Sequence, residues 1–227
     1  MAEKHILVWS KNQELQTLIN REGWGGEVIS SAGDYLSVID ANLAGLKTDG
    51  VMDKKISYSF SPDALGNLRA KVSITYKNNG TFTWKTTRYR TYTRIYVPTG
   101  STLIRGSGML ENDKLSNPLG RPGKIDVGEE FGKTYFGAFI SVEPGKEGTL
   151  SFEYTLPEKI KNQISQGLYN LLVQKQSGTI GLPLTLNLDF GKNIKQASPP
   201  EEAKEWGNGV YKLQTDLRVD RALEISF

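Results

Sequence analysis

The sequence predicts a mainly β protein, an antiparallel immunoglobulin-like β-sandwich preceded by a small β-α-β unit. Three observations carry this. Near residue 56 the hydrophobic period changes from helix-like spacing to strict alternation, the mark of strands with one buried and one wet face. Short alternating runs then recur, separated by clusters of Gly, Pro, Asn and Asp. Glycine is abundant, at 24 of 227 residues, as turn-rich all-β folds require. The expected division is residues 1–50 for the small unit and 51–227 for the sandwich. A unit of about 50 residues buries too little surface alone. It therefore completes a further N-terminal domain or packs on the sandwich.

The elements follow in chain order. "HILVW" is an apolar run of strand type. Ser10 and Gln13 have capping-box spacing before a helix that places Leu15, Leu18 and Ile19 on one face, with Gly23 ending it. "DYLSVIDANLAG" closes the unit with a second apolar run, Tyr35, Leu36, Val38 and Ile39. "ISYSF" and "LRAKVSITY" then alternate around the turn-forming "SPDALGN", and "KNNG" supplies an Asn-Gly turn signal. Strands follow at 89–97 and 101–105.

Three further pairs read as hairpins. Phe136, Ala138, Ile140 and Val142 oppose Leu150, Phe152, Tyr154 and Leu156 around a Pro-Gly turn. "LYNLLVQKQ" faces "LPLTLNLDF", and "VYKLQTDLRVDRALEISF" folds back on itself. Between Gly106 and Lys124, a Gly-, Pro- and Asn-rich stretch reads as a long exposed loop. "SPPEEAKEW" reads as a short helix with Ser198 as N-cap, Pro199 at its first position and Glu201 at its third.

Composition narrows the function classes. There is no cysteine, which excludes disulfides, thiolate metal sites and Cys nucleophiles. It suits a reducing cytosol and a thiol-free exported protein equally. One histidine, His5, leaves no multi-histidine metal site. The net charge of +3, from 28 basic and 25 acidic residues, is too even to imply a polyanion partner, so no nucleic-acid binding is expected. No apolar run reaches the ~18 residues of a membrane span.

No catalytic constellation stands out. A Ser-His-Asp arrangement would have to use His5, and no Gly-x-Ser-x-Gly elbow is present. Asp126, Glu129, Glu130 and Glu153 are carboxylates that sequence spacing does not pair. "GRPGK" is not a phosphate loop, and "DANLAGLKTDG" lacks calcium-loop ligands. No cofactor or metal is expected. One patch stands apart, "TWKTTRYRTYTRIYV". In a regular strand Arg88, Arg90, Tyr92, Arg94 and Tyr96 share a face, with Trp84 near the turn. Arg and Tyr together can grip an anionic glycan. The favoured reading is plainer: a wet sheet face whose Arg stems cover Tyr rings and whose charges neighbouring carboxylates answer.

In order, "KHILVWSKNQELQTLINREGWGGEV", "DYLSVIDANLAGLKTD", "YVPTGS", "GKTYFGAF", "QKQSGT" and "DLRVDR" resemble the C-terminal part of a bacterial family, domain of unknown function 4012. The resemblance spans nearly the whole chain and includes no catalytic motif. It implies an exported protein held at the cell surface by an N-terminal membrane anchor outside this chain, of a kind often encoded near genes for extracellular polysaccharide. The expected role is a non-enzymatic extracytoplasmic structural or interaction domain. Its expected partners are envelope polysaccharide or another envelope protein, with the Gly106–Lys124 loop as contact point. The alternative is a glycan-binding module using the Arg/Tyr face.

Overall fold

The computed structural model describes residues 3–227. Its strands are β1 (Asp34–Asn42), β2 (Met52–Pro62), β3 (Leu68–Asn78), β4 (Tyr89–Pro98), β5 (Thr102–Ser107), β6 (Asp126–Glu130) and β7 (Lys133–Val142). They continue as β8 (Glu147–Thr155), β9 (Leu168–Gln174), β10 (Pro183–Asp189), β11 (Gln196–Ser198), β12 (Val210–Asp216) and β13 (Arg221–Ser226). Helices α1 (Gln13–Arg21) and α2 (Glu158–Ser165) complete the regular structure with two short 3-10 turns. One sheet has seven strands in the order β11-β13-β9-β1-β4-β7-β6, the other six in the order β12-β10-β2-β3-β8-β5. The fold is mainly β and sandwich-like.

The all-antiparallel expectation is corrected: β1 pairs with β9, and β2 with β10, in parallel. Alternation reports which face of a strand is buried, and it is silent on the direction of the neighbour. The three late hairpins are corrected for the same reason. β7 lies in one sheet and β8 in the other; β9 and β10 are likewise divided, as are β12 and β13. Among the described residues only β2–β3 and β6–β7 are true hairpins. Every other connection between consecutive strands crosses the sandwich. The β6–β7 turn has Phe131 and Gly132 at φ 53° and 65°, the geometry that matches strand twist in a two-residue hairpin.

The inward residues were nonetheless legible. Phe136, Ala138, Ile140, Val142, Leu150, Phe152, Tyr154 and Leu156 are all buried. They meet face to face across the sandwich rather than along a ladder: the Phe136 ring lies 6.4 Å from Phe152 and 5.4 Å from Tyr154. Burial stabilises the fold by roughly 1.5–3 kcal/mol for each large apolar side chain. Asn78, from the predicted Asn-Gly turn, is a buried clamp. Its amide donates to the carbonyls of Thr87 and Val142 and accepts from Gly80 N.

Of the expected β-α-β unit, the helix and the second strand form and the first strand does not. No strand forms over "HILVW", where Ile6, Leu7 and Trp9 are exposed. The cap of α1 is Asn12, two residues later than expected. Its side chain accepts from Leu15 N, while Ser10 Oγ accepts from Asn12 N. Of the helix's three leucine-type positions only Ile19 is buried. β1 lies inside the seven-stranded sheet, between β9 and β4. The helix expected from Ser198 is corrected too. Gln196–Ser198 is a strand, and a 3-10 turn follows only at Ala203–Glu205. Pro200 disfavours helical backbone at Pro199, which delays the turn. Helix α2 was unread, although Ile160 and Ile164, both buried, have helical spacing.

One buried carboxylate joins the sheets. Asp34 is fully buried at the start of β1. Its Oδ2 accepts from the hydroxyls of Tyr58 on β2 (2.6 Å) and Tyr169 on β9 (2.7 Å), and its Oδ1 from Tyr35 N (2.7 Å). Burial pushes its pKa from 3.8 up to about 6, against the lowering effect of these donors. The neighbouring Tyr154 hydroxyl is buried without a partner.

Two predictions follow from this centre. Folded Asp34 holds its proton more tightly than the unfolded chain does, so acidification favours folding between about pH 6 and 4, and this contribution is lost as pH rises through 6. Relative to Asp34→Asn, the wild type gains up to roughly 3 kcal/mol between pH 7 and 4 in urea melts; parallel profiles would refute it. Second, Tyr58→Phe removes a charge-assisted bond and costs about 1–3 kcal/mol, whereas Tyr154→Phe stays within about 1 kcal/mol of wild type or stabilises. Thermal melts of the two variants decide it.

Candidate functional site

The outer face of β4 carries the predicted patch. Tyr89, Thr91, Thr93, Ile95 and Val97 point inward and are fully buried. Period two then turns Arg90, Tyr92, Arg94 and Tyr96 outward, with Arg88 just before the strand. The structure thus brings five of the six predicted residues onto one face. Trp84 is apart, at the tip of the loop before β4, 80% exposed, with the Lys85 ammonium 4.7 Å from its ring.

Each charge on this face is answered from within the chain. Arg88 pairs with Glu143 (2.7 Å), Arg90 with Asp113, and Arg94 with Glu130 (2.8 Å). Tyr92 donates to Asp126, and Tyr96 to Glu130. Arg94 also lies over the Tyr135 ring at 4.6 Å and the Tyr92 ring at 5.6 Å. The register explains this reach. Arg94 is opposite Gly137 on β7, which is opposite Asp126 on β6. A Cβ on Gly137 would stand 2.4 Å from the Tyr92 hydroxyl, so only glycine lets that ring lie across β7 to the carboxylate.

The ionisation states follow the pairing. Glu143 holds the Arg88 guanidinium above its ordinary value, and Tyr96 does the same for Arg94. Partial burial, then Asp126, pushes Tyr92 up to about 12. Burial alone would raise Asp113. The backbone N–H groups of Ser116 and Leu115 and the Arg90 guanidinium together bring it below the usual carboxylate range. Asp113 thereby ties the long loop to the sheet. That loop is largely exposed, with Leu115 and Leu119 at its surface, yet it is internally braced: Asn117 exchanges hydrogen bonds with the Arg121 backbone.

Between this loop and the sheet lies a groove of about 580 Å³. Tyr92 and Phe139, directly opposite on β4 and β7, form part of its lining, with Lys124, Asp126 and an Arg121–Glu111 pair (2.8 Å). Lys124 makes no ion pair among the described residues. Of the predicted binding residues, only Tyr92 lines this groove.

The remaining candidates are scattered. His5 meets Glu3 at 3.3 Å near the N-terminus. Glu153 lies on the other sheet, bonded to Arg105, which lowers its pKa. Among the described residues no group of three or more His, Cys, Asp or Glu is placed to hold a metal ion. Among the described residues no helix is long and apolar enough to cross a membrane. Sequence reading missed Asp40, Asp49 and Lys54, which gather at one end of the sandwich. The available signal was period two: Asp34, Leu36, Val38 and Asp40 share the inward face of β1, as Met52, Lys54 and Ile56 do on β2.

No family model and no curated protein matches the chain. Among solved structures it is similar to a Legionella pneumophila protein named for nutrient binding, at 10% identity and a TM-score of 0.48, over 86% of this chain and 71% of that one. It is also similar to an M1 zinc metallopeptidase from Deinococcus radiodurans, at 11% identity and a TM-score of 0.34. That match covers 82% of this chain and 43% of the peptidase.

Proposed function

We propose that this chain is a non-enzymatic, extracytoplasmic structural and interaction domain of a bacterial cell-envelope protein, associated with extracellular polysaccharide. The observation that carries the reading is the outer face of β4. Three Arg–carboxylate pairs and two Tyr–carboxylate bonds bind β4 and the residue before it to β6, the long loop and the β7–β8 turn, making one braced surface. Connections that repeatedly cross the sandwich support the same role, since neither sheet can peel away alone. Such a body suits a spacer that presents loops. Its two packed sheets would make it immunoglobulin-like in architecture, with parallel pairs at β1–β9 and β2–β10. The sequence resemblance supports the location, with membrane attachment through an N-terminal anchor outside this chain. Protease treatment of intact cells should digest the chain, as followed with antibody; full protection until lysis would overturn the location.

A second reading has one specific support. The Tyr92–Phe139 floor and the unpaired Lys124 make a groove suited to an acidic glycan, with rings for stacking and an ammonium for a carboxylate. Titration of acidic and neutral polysaccharides should show acidic binding that falls at least about fivefold in Lys124→Ala, the loss of one charge-assisted contact. Arg88→Ala, whose partner Glu143 lies outside the groove, should bind nearly as wild type. Absence of binding by the wild type removes this reading.

A further inference from the structure

The two inward carboxylates of β1 have opposite fates. Asp34 is sealed between the sheets, whereas Asp40, six residues on, forms part of a cleft of about 410 Å³ at the end of the sandwich. Lys54 of β2 also lines this cleft and pairs with Asp40 at 3.1 Å; their side chains are only 8% and 6% exposed. Stability does not explain the pair. An apolar pair of similar volume commonly serves a core at least as well, because desolvating two charges offsets their attraction.

The cleft is pre-organised. Asp40 Oδ1 accepts from Tyr76 and Thr93 (2.7 Å each), leaving Oδ2 for the lysine. The Gln176 side chain exchanges two bonds with the Asp40 backbone, fixing the Gln176–Thr179 loop as one wall. Asp49 stands at the rim, half exposed. Its Oδ2 is held by the Asn42 amide at 2.5 Å, and its Oδ1 is 3.4 Å from Lys54 Nζ. Lys54 spends two of its three N–H donors on long contacts to Asp40 and Asp49, and its ammonium lies 4.9 Å from the Tyr89 ring, so it sets the charge of the cleft floor. Met52, Ile180 and Leu182 supply an aliphatic lining.

We infer that this cleft binds a neutral saccharide unit. At the rim the exposed Asn42 amide, a donor, stands beside the Asp49 carboxylate, an acceptor, which suits a pair of vicinal hydroxyls, and an aliphatic wall suits the C–H face of the ring. Two carboxylates and one ammonium leave the site with one net negative charge, which disfavours phosphates and uronates. The site shares no lining residue with the Tyr92–Phe139 groove, so it does not rest on the acidic-glycan reading.

The test is a backbone-amide NMR titration of the full chain. The probes are the methyl pyranosides of glucose, galactose and mannose, with methyl glucuronide as the anionic control. At least one neutral pyranoside should shift the amides of Asn42, Asp49, Gly50, Ser177 and Gly178, with glucuronide at least about fivefold weaker. Asp49→Ala, a rim substitution, should abolish the shifts while the rest of the spectrum is unchanged. Lys54→Met should do the same if its thermal melt shows a folded chain. No shift at these amides with any neutral probe, or shifts undiminished in Asp49→Ala, overturns the inference. Shifts from glucuronide alone, confined to Tyr92, Phe139 and Lys124, overturn it while supporting the groove.

Discussion

A carboxylate out of reach of water sits where the two sheets of this protein meet. Apolar burial supplies most of the stabilisation, but it is non-directional, and aliphatic and aromatic side chains tolerate small displacements. Asp34 does not. Its Oδ2 receives one hydroxyl from β2 in the six-stranded sheet and one from β9 in its own. A one-residue slip of either strand would send the tyrosine to the opposite face. The site thus ties the register of one sheet to the other. Burial of the charge works against folding near neutral pH, and the two hydroxyls and the Tyr35 amide are what make it tolerable.

The same strand shows how position converts one residue type to two uses. At its first end, Asp34 is closed in by Tyr58 and Tyr169. At the other, Asp40 is oriented by Tyr76 and Thr93 but opens toward a cleft. Inward acids on one strand therefore serve as an internal lock and as a polar floor. The outer face is different again. There the Arg/Tyr pattern is consumed by internal bracing, and the free chemistry lies at its edge, in Lys124 and the faces of Tyr92 and Phe139. An incoming anion would have to displace the carboxylates already bonded to these arginines and tyrosines.

The inward residues of β2, β3, β4, β7 and β8 were legible because alternation is a local property, visible within each run. The outward Arg/Tyr face of β4 was legible on the same ground, as was the answer to its charges in general terms. The particular partners were not: Asp126 and Glu130 stood out only as unpaired acids, and they prove to be the acceptors for Tyr92, Tyr96 and Arg94. "HILVW" misled because an apolar run fixes neither strand nor burial without a neighbour to pair with. The cleft went unread because Lys54 is a charged residue at an inward position, and alternation counts it as a defect.

The sequence by itself determined that this is a mainly β protein, which side of most strands faces in, and that Arg and Tyr line one strand face. Tertiary structure alone decided which strands pair, their directions, and which polar groups converge. The physical reason is range. Facing depends on residues two apart, whereas Tyr169 reaches Asp34 from 135 residues away. Such meetings depend on how all the intervening connections close, and here most of them lead across the sandwich rather than back along the same sheet.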